Sequence, residues 1–241
     1  YLATLQLDQG EKGKPDEKFD GGIGYGTKDH SDMSNTYIAL EALKASEFLE
    51  SDDQLTAYKD LQDLQNTKLD WEAALTFIQR CQNLPGSNDQ AWSSADPKNK
   101  GGFIYYPGSS KAGEETLENG KKALRSYGSM TYAGLLSFIF ADLDKNDERV
   151  QAAYNWLKEN YTLEENPGVG QQGLYYYYHT MAKALTVYGD DVMVTSSGKR
   201  IDWRKELTAK LVSSQQEDGS WINPTARWWE NDPVQIGRAH V

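Results

Sequence analysis

The chain has 241 residues, of which 12% are aromatic, and carries a formal net charge of -11 with 36 acidic against 25 basic side chains. No basic residues cluster, which argues against nucleic acid and anionic membrane as partners. The single cysteine, Cys81, excludes an internal disulfide and any multi-cysteine metal site, and no apolar run approaches the length of a membrane span.

The chain opens on "YLATLQL", the first of four helix-like segments that close in a similar way; the others are "AALTFIQRCQN", "AAYNWLKENYT" and "ELTAKLVSSQQ". Each leads into a turn-rich stretch with glycine and aromatics: "FDGGIGYG", "GGFIYYPG", "GQQGLYYYY" and "EDGSWINP". In three units a second helix follows, as "DMSNTYIALEALKASEFL", "GSMTYAGLLSFIFADL" and "YHTMAKALTVYG". These second helices align on Thr36, Thr131 and Thr180 and carry small residues at Ala39, Ala133, Gly134, Ala182 and Ala184. They are less charged than the first set, so they form the inner layer. The first set mixes apolar stripes with charge, as in Lys158, Glu159, Arg204, Lys205 and Glu206, and reads as an outer, half-exposed layer.

The repeat is uneven, because the marker residues Gln6, Gln82, Tyr161 and Gln216 are unequally spaced. Segment 51–69 reads as a polar helical insertion or connection and segment 84–126 as a long surface excursion, a kind of loop that is usually functional or disordered. One stretch, "DVMVTSSGKRID" at 191–202, predicts a small hairpin turning at Ser197-Gly198. Outer and inner helices alternating along the chain make an all-α fold, an α/α toroid or solenoid, with residues 1–234 as one repeat domain and no linker that would divide it.

Both termini read as cut. Tyr1 stands inside an apparent helix, so a true amino terminus is expected upstream and the compartment is not legible; an extracytoplasmic location stays open. The terminal "IGRAHV" is what a sequencing adapter encodes in frame, and residues 235–241 are expected to be read-through from a truncated environmental gene. His240 is set aside with them.

On these residues the chain resembles the prenyltransferase and squalene-oxidase repeat superfamily, the α/α toroid of terpenoid cyclases and protein prenyltransferase β subunits. More closely it resembles a bacterial set of squalene-cyclase-like repeat proteins. The carriers are "QLDQGEKGKPDEKFDGGIGYG", "GGFIYYPG" with "SYGSMTYAGL", "NPGVGQQGLYYYYHTMAKAL" and "QQEDGSWINP", and the likeness covers nearly all of residues 1–234. It implies a toroid incomplete at both ends and an isoprenoid handled in an aromatic central cavity.

The initiating acids of that family are not visible. No Asp-x-Asp-Asp motif occurs; the nearest string, Glu50-Ser51-Asp52-Asp53, reads as a solvated turn. Asp52-Asp53 and Asp190-Asp191 lack the third carboxylate of a metal-binding Asp-Asp-x-x-Asp. Asp32, Cys81 and His179 have no recognisable zinc-site spacing, so no metal or cofactor is expected, and Cys81 reads as a small packed side chain.

His179 and Asp32 are the candidates for acid–base work, since a histidine titrates near neutrality and a carboxylate beside a cavity could donate. Asp32 has a competing role as the cap of its helix. Tyr37, Tyr132, Tyr175, Tyr178 and Trp221 are the candidates for a ligand wall, with Tyr37 and Tyr132 at equivalent places and expected to line one cavity. On a helix Tyr175, Tyr178, His179 and Ala182 share a face, so the run "YYYYH" cannot put all its tyrosines on one side. Three functions follow: a terpenoid-cyclase-like or transferase-like enzyme acting on an isoprenoid, a non-catalytic binding protein on the same scaffold with its tyrosine hydroxyls bonded internally, or a carbohydrate-active toroid with paired carboxylates in an open cleft.

Overall fold

The computed structural model describes residues 1–26, 30–47 and 68–238. The described chain is helix-rich with two small strand pairs. A 3-10 turn, Leu2–Leu5, precedes α1 (Met33–Ala45) and α2 (Trp71–Arg80). The hairpin of β1 (Glu114–Thr116) and β2 (Lys122–Leu124) leads to α3 (Gly128–Phe140), α4 (Glu148–Glu159) and α5 (Leu174–Tyr188). A second hairpin, β3 (Met193–Val194) with β4 (Arg200–Ile201), precedes α6 (Trp203–Ser214), a 3-10 turn at Arg227–Trp229 and the short α7 (Pro233–Arg238).

Aspartate starts most of these helices. Asp32, Asp70, Asp147 and Asp202 each accept a hydrogen bond from a backbone N–H in the first turn of α1, α2, α4 and α6. A carboxylate there answers an N–H that has no partner within the helix, and its charge suits the positive end of the dipole. Gly189 ends α5 in the left-handed conformation at φ 83°, which glycine adopts without a Cβ clash.

α3 is the axis of the packing, in contact with α1, α2, α4 and α5. Every residue from Gly128 to Phe138 is buried, so it is a helix that is apolar all round, as its sequence "GSMTYAGLLSFIF" requires. α4, by contrast, buries Val150, Ala153, Tyr154, Trp156 and Leu157 and turns its charged face outward. One hydrophobic core runs from Met33 to Ile236. α1 and α5 lie on either side of α3, and their side chains also meet: Ser34 Oγ is 3.0 Å from Tyr176 Oη, and Lys183 Nζ is 2.6 Å from Glu41 Oε1.

The repeated residues occupy repeated geometry. Gln6 Nε2 donates to Gly21 O and Asp70 O; Gln82 Nε2 donates to Gly101 O and Arg149 O. Each glutamine thus ties a Gly-Gly turn to the start of the following outer helix. Thr36 Oγ1 accepts from Ile23 N and Thr131 Oγ1 from Phe103 N, so each threonine fastens the same turn to its inner helix. At Gly101, with φ 90°, a Cβ would stand 2.2 Å from Ala152 O of α4. A side chain there would push the outer helix off the turn.

Two differences from the sequence reading stand out, beside one agreement. "YLATLQL" makes only a four-residue 3-10 turn, too short to bury an apolar stripe. The excursion 84–126 contains the β1–β2 pair. The hairpin expected at 191–202 is present, with Gly198 at φ 81° in its turn. The proposed insertion at 51–69 and the Glu50–Asp53 string lie almost wholly outside the described residues, with only Lys68 and Leu69 inside them.

Candidate functional site: an aromatic groove between α5 and α6

The four consecutive tyrosines divide among three neighbours. Tyr176 turns to α1 and meets Ser34. Tyr177 turns to α3, its ring 5.7 Å from that of Tyr132, and its hydroxyl donates to Thr162 O at 2.9 Å. Tyr175 and Tyr178 turn to α6 and meet edge to face, with ring centroids 5.8 Å apart. This follows from helical geometry, which separates successive side chains by about 100° and returns i+3 to the same side.

Tyr175 and Tyr178, together with His179, Ala182, Leu207, Leu211, Trp221 and Ile236, line an open groove of about 310 Å³. Its walls come largely from α5 and α6, and Trp221, whose indole N–H donates to Leu211 O at 2.9 Å, is part of the lining. The polar ends of the wall are occupied. Tyr178 Oη donates to Leu163 O, so the ring and not the hydroxyl is what the groove presents. Burial holds the phenols of Tyr175 and Tyr178 above their ordinary range, and Glu164 adds to the effect at Tyr178. Both stay protonated at neutral pH. His179 is half-buried on this wall and, apart from the two phenols, is the one titratable side chain among the described lining residues.

The remaining candidates lie elsewhere. Asp32 is buried and caps α1, accepting from Asn35 N at 3.0 Å and from Asn35 Nδ2 at 2.8 Å. It is not among the groove's described lining residues, so the structure does not place it beside His179 in that site. Tyr37 and Tyr132 are not among the described lining residues of the α5–α6 groove. Tyr37 is buried in α1, where burial and the Glu41 carboxylate raise its phenol, while Tyr132 is buried in α3 against Tyr177. Cys81 is fully buried at the end of α2, and burial pushes its thiol well above the usual range. Among the described residues no group of three or more histidine, cysteine or acidic side chains is arranged to hold a metal ion. No described helix is long and apolar enough to cross a membrane.

Reading from sequence missed several participants. Glu230 is buried and accepts from Tyr176 N at 2.9 Å and from Asn223 Nδ2 at 2.7 Å, so it caps α5 from a later loop. Burial raises its carboxyl above the usual glutamate range. Asn166 does the same for α3, accepting from Ser129 N at 2.9 Å. With Asp32 on α1, the N-termini of all three inner helices face protein carboxylate or amide oxygen. The anion-binding capacity that such termini offer is therefore taken up internally. Leu207 and Leu211, which supply the α6 wall, are one helical turn apart and were legible as an apolar stripe. Ile236 lies in the stretch read as adapter-encoded, yet it is buried in the groove.

No protein-family model, curated protein or solved structure matches the chain.

Proposed function

We propose that the chain is an α/α-repeat protein built like the prenyltransferase and squalene-oxidase repeat toroids, and that it binds an apolar, isoprenoid-like ligand in the α5–α6 groove without transforming it. The toroid reading is supported by the way α1 and α5 reach one another past α3, through Ser34–Tyr176 and Glu41–Lys183. A flat row of helices would hold the first and third apart. The binding reading is supported by one observation above others: Tyr175, Tyr178, His179 and Trp221 converge on a single apolar groove. Tyrosine hydroxyls fastened to protein partners present ring faces to a ligand, and such faces hold apolar chains well. The capping role of Asp32 favours binding over cyclisation, because it ties that carboxylate to Asn35 and not to the groove.

Ile236 favours a second reading, in which the groove seats a further inner helix as α1, α3 and α5 are seated. Farnesol titrated into the protein, followed by calorimetry, separates the two. The ligand reading expects saturable binding, weakened about 10-fold or more in Trp221→Ala through loss of aromatic contact. No binding, or binding indifferent to Trp221→Ala, rejects it and leaves the groove as a packing surface.

A further inference from the structure

The segment from Ile222 to Asp232 is fastened across the start of α5 and follows directly on Trp221 of the aromatic groove. Its backbone is strained. Trp228 and Trp229 stand in succession in the left-handed region, at φ 62° and 66°, a conformation that is costly for a residue with a Cβ and open to glycine. Neither indole is buried in return, since Trp229 is 73% and Trp228 40% exposed. The buried residues of the segment are Asn223 and Glu230, both polar. They form a clamp. Asn223 N donates to Glu230 O at 2.8 Å, which closes the segment on itself. Asn223 Nδ2 donates to Glu230 Oε2 and to Gln171 O, each at 2.7 Å, and Glu230 Oε1 accepts from Tyr176 N at 2.9 Å. Arg227 Nη1 donates to Gln172 Oε1 at 2.6 Å, and the Trp228 ring lies against Gly173, where a Cβ would come within 2.8 Å of it. These attachments all fall between Gln171 and Tyr176. An element held by a few polar bonds, with a strained backbone and no buried apolar side chain, opens at lower free energy than the core it rests on.

We propose that residues 222–232 are a strap that opens as a unit and, in opening, frees Trp221 from the α5–α6 groove. Trp221 couples the two, because it is joined to the strap through the backbone and to α6 through its indole N–H on Leu211 O. The strained tryptophan pair favours the open strap, and the Asn223–Glu230 clamp favours the closed one. Trp221 belongs to the groove lining, so the position of the strap sets how far the groove is uncovered. As a control of ligand entry the inference rests on the groove reading above; as a local opening of the fold it does not.

The test is hydrogen exchange followed by NMR on the whole chain, on Trp229→Gly and on Asn223→Ala. Three protons are read: the Tyr176 amide under the clamp, the Trp221 indole N–H, and the Leu135 amide inside α3, which reports opening of the whole fold. The first two are expected to exchange faster than the third. Trp229→Gly removes a strained, exposed side chain and should slow both by about 3-fold or more. Asn223→Ala breaks the clamp and should speed both by about 10-fold, with Leu135 unchanged. The proposal is overturned if all three protons exchange at one rate, if Trp229→Gly fails to slow the first two, or if the indole does not follow the amide. Should Asn223→Ala fail to fold, Trp229→Gly decides alone. Stopped-flow binding of farnesol then tests the control of entry: association and dissociation should both slow by about 3-fold in Trp229→Gly, with Kd unchanged, and unaltered rates reject that role. Farnesol that does not bind at all removes the ligand reading and leaves exchange to decide the strap.

Discussion

Arg80 shows how much one side chain organises here. It is 5% exposed, yet its guanidinium reaches Glu17 O and Pro15 O at 2.7 Å and Asp89 Oδ2 at 2.7 Å. It thereby binds α2 to two loops that the sequence places far apart. The charge is tolerable because its hydrogens are answered by fixed acceptors. The guanidinium beside it holds the Asp89 carboxyl below the usual aspartate range. A depressed carboxyl contributes stability that is present above the ordinary aspartate value of about 3.9 and is lost as pH falls through its lowered folded value. Asp89 is half exposed, so solvent screens the pair. Asp89→Asn is expected to lower stability at pH 7 by about 1 kcal/mol, with the difference fading at acid pH. Urea unfolding of both proteins across that range checks the sign. A gap that widened on acidification would contradict it. None of this was legible in the sequence, where nothing marks Arg80 apart from other charged residues. What could be read was the shared face of Tyr175, Tyr178, His179 and Ala182, because helical spacing alone determines it.

At the level of the element, inner helices were legible from composition, and the turns feeding them were legible only as glycine-rich stretches. Thr131 shows the link between the two. It is buried, accepts from Phe103 N at 3.0 Å and donates to Tyr127 O at 2.8 Å. Thr131→Val keeps the shape and leaves the Phe103 N–H buried without a partner, at an expected cost of about 1–3 kcal/mol. Thr131→Ser should recover most of that, and denaturant midpoints of the three proteins check the order. The threonine alignment was visible in the sequence, but its reason, a hydroxyl reaching back to the preceding turn, needs the fold. The β1–β2 hairpin was missed although Asn119-Gly120 lies in its turn, with Gly120 at φ 78°. Asn-Gly is a strong hairpin signal between alternating strands. Here the flanks, "EET" and "KAL", are three residues each and carry two apolar side chains between them, Ala123 and Leu124, too few for an alternating pattern to be read.

For the molecule as a whole, the contact between first and third inner helices decides whether the row is bent. The Glu41–Lys183 pair is partly buried and spans that gap. A double-mutant cycle with Glu41→Gln and Lys183→Met is expected to show a coupling of about 0.5–1 kcal/mol, above what a fully exposed pair gives. Additive effects would mean that α1 and α5 do not hold each other, and the toroid reading would lose its main support. Repetition along the chain announced a helix-rich fold of alternating helices, since alternation of charged and uncharged helices is a property of order in sequence. The toroid was expected from the resemblance and not from spacing, because curvature depends on which side chains bridge across α3.

The capping of inner helices by later loops has a consequence for how the protein is made. α3 begins at Gly128, but the oxygen that completes its first turn belongs to Asn166; α5 begins at Leu174 and waits for Glu230. Gln6 and Gln82 likewise wait for Asp70 and Arg149. A chain emerging from the ribosome amino end first therefore trails first α3 and then α5 unfinished, each start closed by a residue made 37 or 54 positions later. Each unit locks the one before it, so the structure sets backwards while synthesis runs forwards.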